Sequence, residues 1–385
     1  MAEPVEQVDR GRRHALFAAL LASTAALVPG SGWRRLLAAD GSLSVTSPYG
    51  PLRPADEYGV RLPRGFSARL LALSGQPVAA TGFIWPYAPD GAGVFAAGSD
   101  WVLVCNAELD DGQGGASAMR FSTCGDIIAA YPVLTGTTRN CAGGVTPWGT
   151  WLSCEEFDDG RVWECVPLGQ SAAKAHPALG RFAHEAAVVD PVTGHVYLTE
   201  DDRRGRLYRF TPAKKGDLSA GSLAAAGIDN GRVRWLETGT QQPCRHADTA
   251  IFNRGEGAWF AGRTLYFTTT ADHRVWALDV DSGQLEVRYD GLAAGNDAVL
   301  REPDNVTVHD CTGSLFVAED SDDLQLVLLD TRSGRQRVTP FLQLEGHDGS
   351  ELTGPVFSPD GQRLYFSSQR GRDGRGMTFE ITGPF

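Results

Sequence analysis

Alternating apolar and polar residues, in runs of roughly five to eight, recur along the chain between glycine-bearing turns. HVYLTED (195–201), SLFVAED (314–320) and QRLYFSS (362–368) each change face at every residue, as a strand with one buried side does. Each is the second half of a longer unit: HEAAVVDPVTGHVYLTED (184–201), PDNVTVHDCTGSLFVAED (303–320) and ELTGPVFSPDGQRLYFSS (351–368). In the first two the frame is identical. Glu185 stands nine positions before Gly194 and fifteen before Glu200, and Asp304 stands nine before Gly313 and fifteen before Glu319. Looser copies begin near Phe83, at Cys141 and at Asp248, and a third strand such as GRLYRFTP or HRVWALDVDSG follows most of them. No strong amphipathic helix competes with this pattern: AAKAHPALGRFA is broken by Pro177 and Gly180.

Six copies at a spacing of about fifty residues predict an all-β chain, a six-bladed β-propeller over residues 83–385 with a lead-in at 40–82. A β-helix or two stacked sandwiches would leave the repeated frame unexplained. Ahead of the lead-in, residues 1–39 read as an N-terminal export signal. Arg10, Arg12 and Arg13 precede the apolar run ALFAALLASTAALV, which is too short for a comfortable membrane span and stops at Pro29-Gly30. The Arg12-Arg13 pair suits twin-arginine export, with a general secretory signal as the alternative and cleavage after Ala39 as the expected boundary.

Composition narrows the partners. The net charge of -12 offers no basic footprint for nucleic acid, and no later segment is apolar enough to span a bilayer. The mature chain is expected to be a monomer in the periplasm or outside the cell. Its seven cysteines leave at least one unpaired; Cys154 and Cys165, flanking a turn at Asp158-Asp159-Gly160, are a candidate disulfide. Paired-histidine zinc spacing, a P-loop and a GxSxG elbow are all missing from the sequence. His184 and His246 stand near acidic residues as candidate supports for metal ligands.

In a propeller the first strand of every blade lines the central channel, so equivalent positions converge. Glu185 and Asp304 share a position, Glu351 lies close to it, and Cys141 opens its own blade. A second set closes the second strands: Asn106/Glu108, Glu155/Glu156, Glu200/Asp201 and Glu319/Asp320. Carboxylates brought together in this way raise one another's pKa unless cations neutralise them. Oxygen ligands suit calcium, and a thiolate among them adds a preference for iron or zinc. Trp148 and Trp151 are expected to pack between blades, with Gly143, Gly144 and Gly149 allowing close approach or a tight turn.

NCAGGVTPWGTWLSCEE (140–156), FAHEAAVVDP, YLTED and ELTGPVFSPDGQRLYF resemble the PhoX family of secreted bacterial alkaline phosphatases and their shorter relatives, and YGPLRPADEYGVRLPRGFSARLLA (49–72) is similar to the start of the shorter members. The resemblance implies a six-bladed propeller that hydrolyses small phosphate monoesters at iron and calcium. It maps iron ligands onto Cys141 and Glu185 with Asp304, and calcium ligands onto Glu155, Glu156, Glu200, Asp201 and Glu319; Glu108 and Glu351 complete the acidic set. Two family elements differ. An Asn-His-Glu triplet is Asn106-Ala107-Glu108, and an Arg-Pro-Glu segment is Glu302-Pro303-Asp304, which leaves Arg139 and Arg301 as candidate phosphate clamps. Glu302-Pro303-Asp304-Asn305 also resembles an element of gluconolactonase-like propellers, so a calcium-dependent lactonase or esterase is an alternative. A metal-stabilised binding propeller without catalysis is another.

Overall fold

A computed structural model describes residues 47–385, apart from 169–171, 241–244, 322 and 331–336. The export signal therefore lies outside the described residues. Six antiparallel sheets follow one another. Their innermost strands are Pro89–Ala97, Asn140–Val145, His184–Val189, Gly255–Ala261, Pro303–His309 and Leu352–Phe357, which begin blades 1 to 6. Each pairs with the next strand in the chain and then with a third and a fourth further out. This is the six-bladed propeller anticipated from the repeat. No helix among the described residues is long and apolar enough to cross a membrane.

The lead-in takes part in the propeller. Ser67–Leu73 pairs with Met377–Thr382 as the outermost strand of blade 6, so the two ends of the described chain close one sheet. Val60–Arg61 adds a short fifth strand to blade 5. Closure of this kind ties the start of the ring to its finish and leaves no open sheet between the first and last blades.

The core lies between blade faces. Leu152, Cys154 and Val162 of blade 2 meet Ala187, Leu198 and Tyr208 of blade 3, all fully buried. On the other face of blade 2, Trp151 and Cys165 pack on Phe95 and Val104 of blade 1. Cys154 and Cys165 thus look in opposite directions, three rungs apart on the same hairpin, and both are free thiols. The candidate disulfide between them does not form, and all six described cysteines are unpaired. Trp148 and Trp151 pack between blades as expected.

Trp148 also helps to fasten blade 2. Glu164 accepts from Trp148 Nε1, Thr150 Oγ1 and His176 Nε2, each at 2.7 Å. The bond with His176 is the main reason its pKa falls from 4.5 to about 2. A folded pKa below the unfolded one stabilises above pH 4.5 and is lost as pH falls through about 2. Glu164→Gln should therefore cost about 2–3 kcal/mol in urea unfolding at pH 7. That difference from wild type should shrink across the same acid window.

Candidate metal centre

All six inner strands carry the same irregularity. The pairing shifts register just after their first residues, at Pro89/Ala92, Asn140/Gly143, His184/Ala187, Gly255/Ala258, Pro303/Val306 and Thr353/Val356. Such a bulge re-aims a side chain, and here it falls where the strands enter the channel. The residues at the bulge are Asp90, Cys141, Glu185, Glu256, Asp304 and Thr353 in blade order. The inner strands come so close that a Cβ on Gly91 would meet Ala142 Cα at 2.5 Å, which leaves only glycine there. Asn106 fixes the Cys141 strand, donating to the carbonyls of Cys141 and Ala142 at 2.8 Å while accepting from Trp151 and Ser153.

A second ring follows the ends of the second strands: Glu108, Glu156, Asp201, Thr270, Asp320 and Gln369. The glutamates one residue earlier have a different task, contrary to their assignment as calcium ligands. Glu155 accepts from the backbone amides of Thr138 and Arg161, and Glu319 from those of Arg301 and Gln325. Glu200 accepts from the Arg206 amide and Tyr208 and pairs with Arg245. In all three the bonded amide lies six residues on, so the side chain braces the turn into the third strand. Glu351 lies close to the shared position rather than on it: Thr353 holds the position of Glu185, and Glu351 stands two residues before it, grouped with Asp90 and Glu108.

Three groups of side chains place ligand atoms within 4.8 Å of one another: Cys141, Glu156 and Glu185; Glu185, Glu256 and Asp304; and Asp90, Glu108 and Glu351. An ion bound at about 2.3–2.6 Å brings its oxygen ligands within about 5 Å of each other, so each group has the dimensions of one ion's shell. Glu185 belongs to two groups, is fully buried, and has no hydrogen-bond partner on either carboxylate oxygen. An unpartnered buried carboxylate costs several kcal/mol unless a proton or cation neutralises it. The donor set thus fits metal ions. Asp90 and Glu256 were missed in the sequence.

Electrostatics agree. Nine carboxylates (Asp90, Glu108, Glu156, Glu185, Asp201, Glu256, Asp304, Asp320, Glu351) share the mouth with three guanidiniums (Arg139, Arg254, Arg370), an excess of 9 − 3 = 6 negative charges. Burial, and then Glu108, push Asp90 up to about 7. Burial and mutual repulsion hold Glu156, Glu185, Glu256, Asp304 and Glu351 well above the ordinary carboxylate range. Burial followed by Asp90 and Glu185 raises the Cys141 thiol in the same way. Cations reverse that direction for every one of these groups.

Arg139 is 42% exposed and stands 3.6–4.0 Å from Glu108, Asp110 and Glu156, beyond hydrogen-bond range of all three. Arg301 is exposed, two residues before the inner strand of blade 5. His184 does not support a ligand: its Nε2 faces Gly180 O at 3.2 Å, its ring lies on Phe182, and burial lowers its pKa to about 3. His246 is exposed and its carbonyl accepts from Thr249.

The fold and this mouth define a propeller whose channel gathers carboxylates and a thiol into groups of the size of a metal ion's shell. The chain belongs to the alkaline phosphatase PhoX family, whose model matches residues 113–167, 160–283 and 269–371. Members of that family are metal-dependent and generally exported. No curated protein sequence matches significantly. Among solved structures, a gluconolactonase from Xanthomonas campestris is similar at 15% identity and a TM-score of 0.51, over 88% of this chain and 99% of that one. A protein of unknown function from Bacteroides thetaiotaomicron aligns at 11% identity and a TM-score of 0.52, over 86% and 84% respectively. At these identities the likeness is one of fold.

Proposed function

We propose that the protein is an exported metal-dependent phosphomonoesterase acting at the channel mouth. The observation that carries this reading, beside family membership, is Glu185: a buried carboxylate without a hydrogen-bond partner, shared by two metal-sized groups. Cys141 with Glu156 and Glu185 would hold iron, because sulfur beside oxygen favours a transition metal. The two all-carboxylate groups would hold calcium. Bound there, the ions supply Lewis acidity toward a phosphoryl group and acidify water beside it.

The protein's own residues do the rest. Asn106 and the bulge hold Cys141 toward the channel. Arg139, with donors not engaged by its neighbouring carboxylates, would orient the non-bridging phosphate oxygens, and Arg301 is a second candidate for that role. The acidic surface and the acidic mouth would both repel a dianionic substrate, so attraction would have to come from the bound cations. The lactonase alternative has less support. Asn305 donates to Asp304 Oδ1 and accepts from Gly354 N, both at 2.7 Å, which ties its amide to the wall.

Elemental analysis of natively exported protein, with phosphatase assays in the presence and absence of chelator, tests the reading. Iron, calcium and chelator-sensitive phosphate release are expected. Cys141→Ser should lose iron and that activity together. Neither iron nor phosphate release in the wild type would sink the proposal.

A further inference from the structure

Arg139 and Arg254 occupy the same place in the repeat, directly before the inner strands of blades 2 and 4, and both have a left-handed backbone (φ 50° and 56°). Their surroundings differ. Arg139 makes no hydrogen-bond-length contact with a mouth carboxylate, whereas Arg254 is held on three sides. Its Nε and Nη2 donate to the two oxygens of Asp201 at 2.9 and 3.0 Å. Nη2 also lies 3.2 Å from Glu256 Oε1, and Nη1 3.5 Å from Asp320 Oδ2.

Asp201 and Asp320 sit in the ring that supplies Glu108 and Glu156 to metal-type groups from blades 1 and 2. Neither belongs to any of the three groups found among the described residues. Glu256 is shared: it stands with Glu185 and Asp304 on one side and with Arg254 on the other. Asp201, Glu256 and Asp320 therefore enclose a guanidinium where their neighbours in the ring enclose space for an ion.

We infer that Arg254 is a built-in cation filling a fourth seat of the mouth, made by Asp201, Glu256 and Asp320, which would otherwise take a divalent ion. The inference rests on the metal-centre reading above. A planar guanidinium satisfies one carboxylate on two parallel bonds and reaches two more from its remaining edge, which a hydrated ammonium cannot do. Unlike a bound ion, it is covalently attached and cannot be withdrawn by a chelator. It holds Glu256 in place from behind, so the adjoining group with Glu185 and Asp304 keeps its shape through loss and uptake of metal. It also sets how many ions the mouth accepts, because the fourth seat is closed to solution calcium.

The experiment counts ions. Exported protein is stripped, reloaded with calcium alone, freed of excess and analysed for calcium per chain. Arg254→Ala should gain about one ion per chain over wild type, because three carboxylate oxygens and water can complete a calcium shell. Arg254→Lys, which keeps the charge, should gain none. An Arg254→Ala protein with wild-type circular dichroism and an unchanged calcium count overturns the inference. Should Arg254→Ala fail to fold, Asp320→Asn decides. An unchanged count supports Arg254 as the partner of Asp320, and loss of an ion makes Asp320 a metal ligand and overturns the inference. A wild-type protein that takes up no calcium overturns the metal-centre reading itself, and this inference with it.

Discussion

Glu185→Gln should remove ions from two groups at once and lower phosphatase turnover on the order of a thousandfold. The carboxylate is fully buried and its two oxygens have no protein partner, so its negative charge is made to be neutralised from outside the chain. A glutamine of the same shape removes the charge and offers an amide that can donate to Glu156, Glu256 or Asp304. In chelator, the variant should accordingly melt at or above the wild-type temperature. With calcium the order reverses. An ion held at a hundred times its dissociation constant stabilises by about 2.7 kcal/mol, and the variant loses that contribution at two groups. Thermal melts with and without calcium, beside metal analysis, check both halves. A Glu185→Gln protein that keeps its full metal complement would show that Glu185 is not a ligand.

Much of this site was legible because a propeller converts sequence frame into position around an axis. Cys141, Glu185 and Asp304 stand at equivalent places, and strand alternation with turn glycines was enough to find them. Asp90 and Glu256 escaped because their hairpins differ in length. Glu185 and Asp304 stand nine residues before their turn glycines, but Asp90 is eight before Gly98 and Glu256 six before Gly262. Counting back from the turn therefore loses the frame that the bulge at the other end preserves. Pairs such as Asp90-Gly91 and Glu256-Gly257, an acid followed by a residue small enough for the crowded channel, were the available signal. Glu351 could be placed only near the frame position, because Thr353 fills the position itself and carries no charge.

The paired acids could have been separated without any structure. Successive residues at the end of a strand point to opposite sides, so Glu155 and Glu156 cannot both face the channel. Neither can Glu200 and Asp201, or Glu319 and Asp320. The first of each pair turns back to hold amides of its own blade, and the second reaches the mouth. Closure of blade 6 by Ser67–Leu73 was less accessible, because it joins residues more than three hundred positions apart and leaves no mark on local periodicity.

The pH dependence of stability should change sign when the metals are removed. Asp90 is raised from 3.8 to about 7 by burial and by Glu108, and five other mouth carboxylates move in the same direction. A group whose folded pKa exceeds its unfolded value binds more protons when folded. It favours the native state below the unfolded pKa, and that advantage is lost as pH rises through the folded one. In chelator, the melting temperature should therefore fall from about pH 4 toward neutrality and beyond, with Asp90 alone contributing on the order of a few kcal/mol. Calcium competes with those protons for the same oxygens. In its presence the folded carboxylates ionise more readily than the unfolded ones, and stability should rise over the interval where the stripped protein weakens. Melting curves recorded across pH 4–8 with excess calcium and with chelator should thus diverge as pH rises. A stripped protein that gains stability steadily from pH 4 to 7 would mean that the mouth carboxylates are already neutralised by their own arginines, and that ions are not what the ring is built to hold.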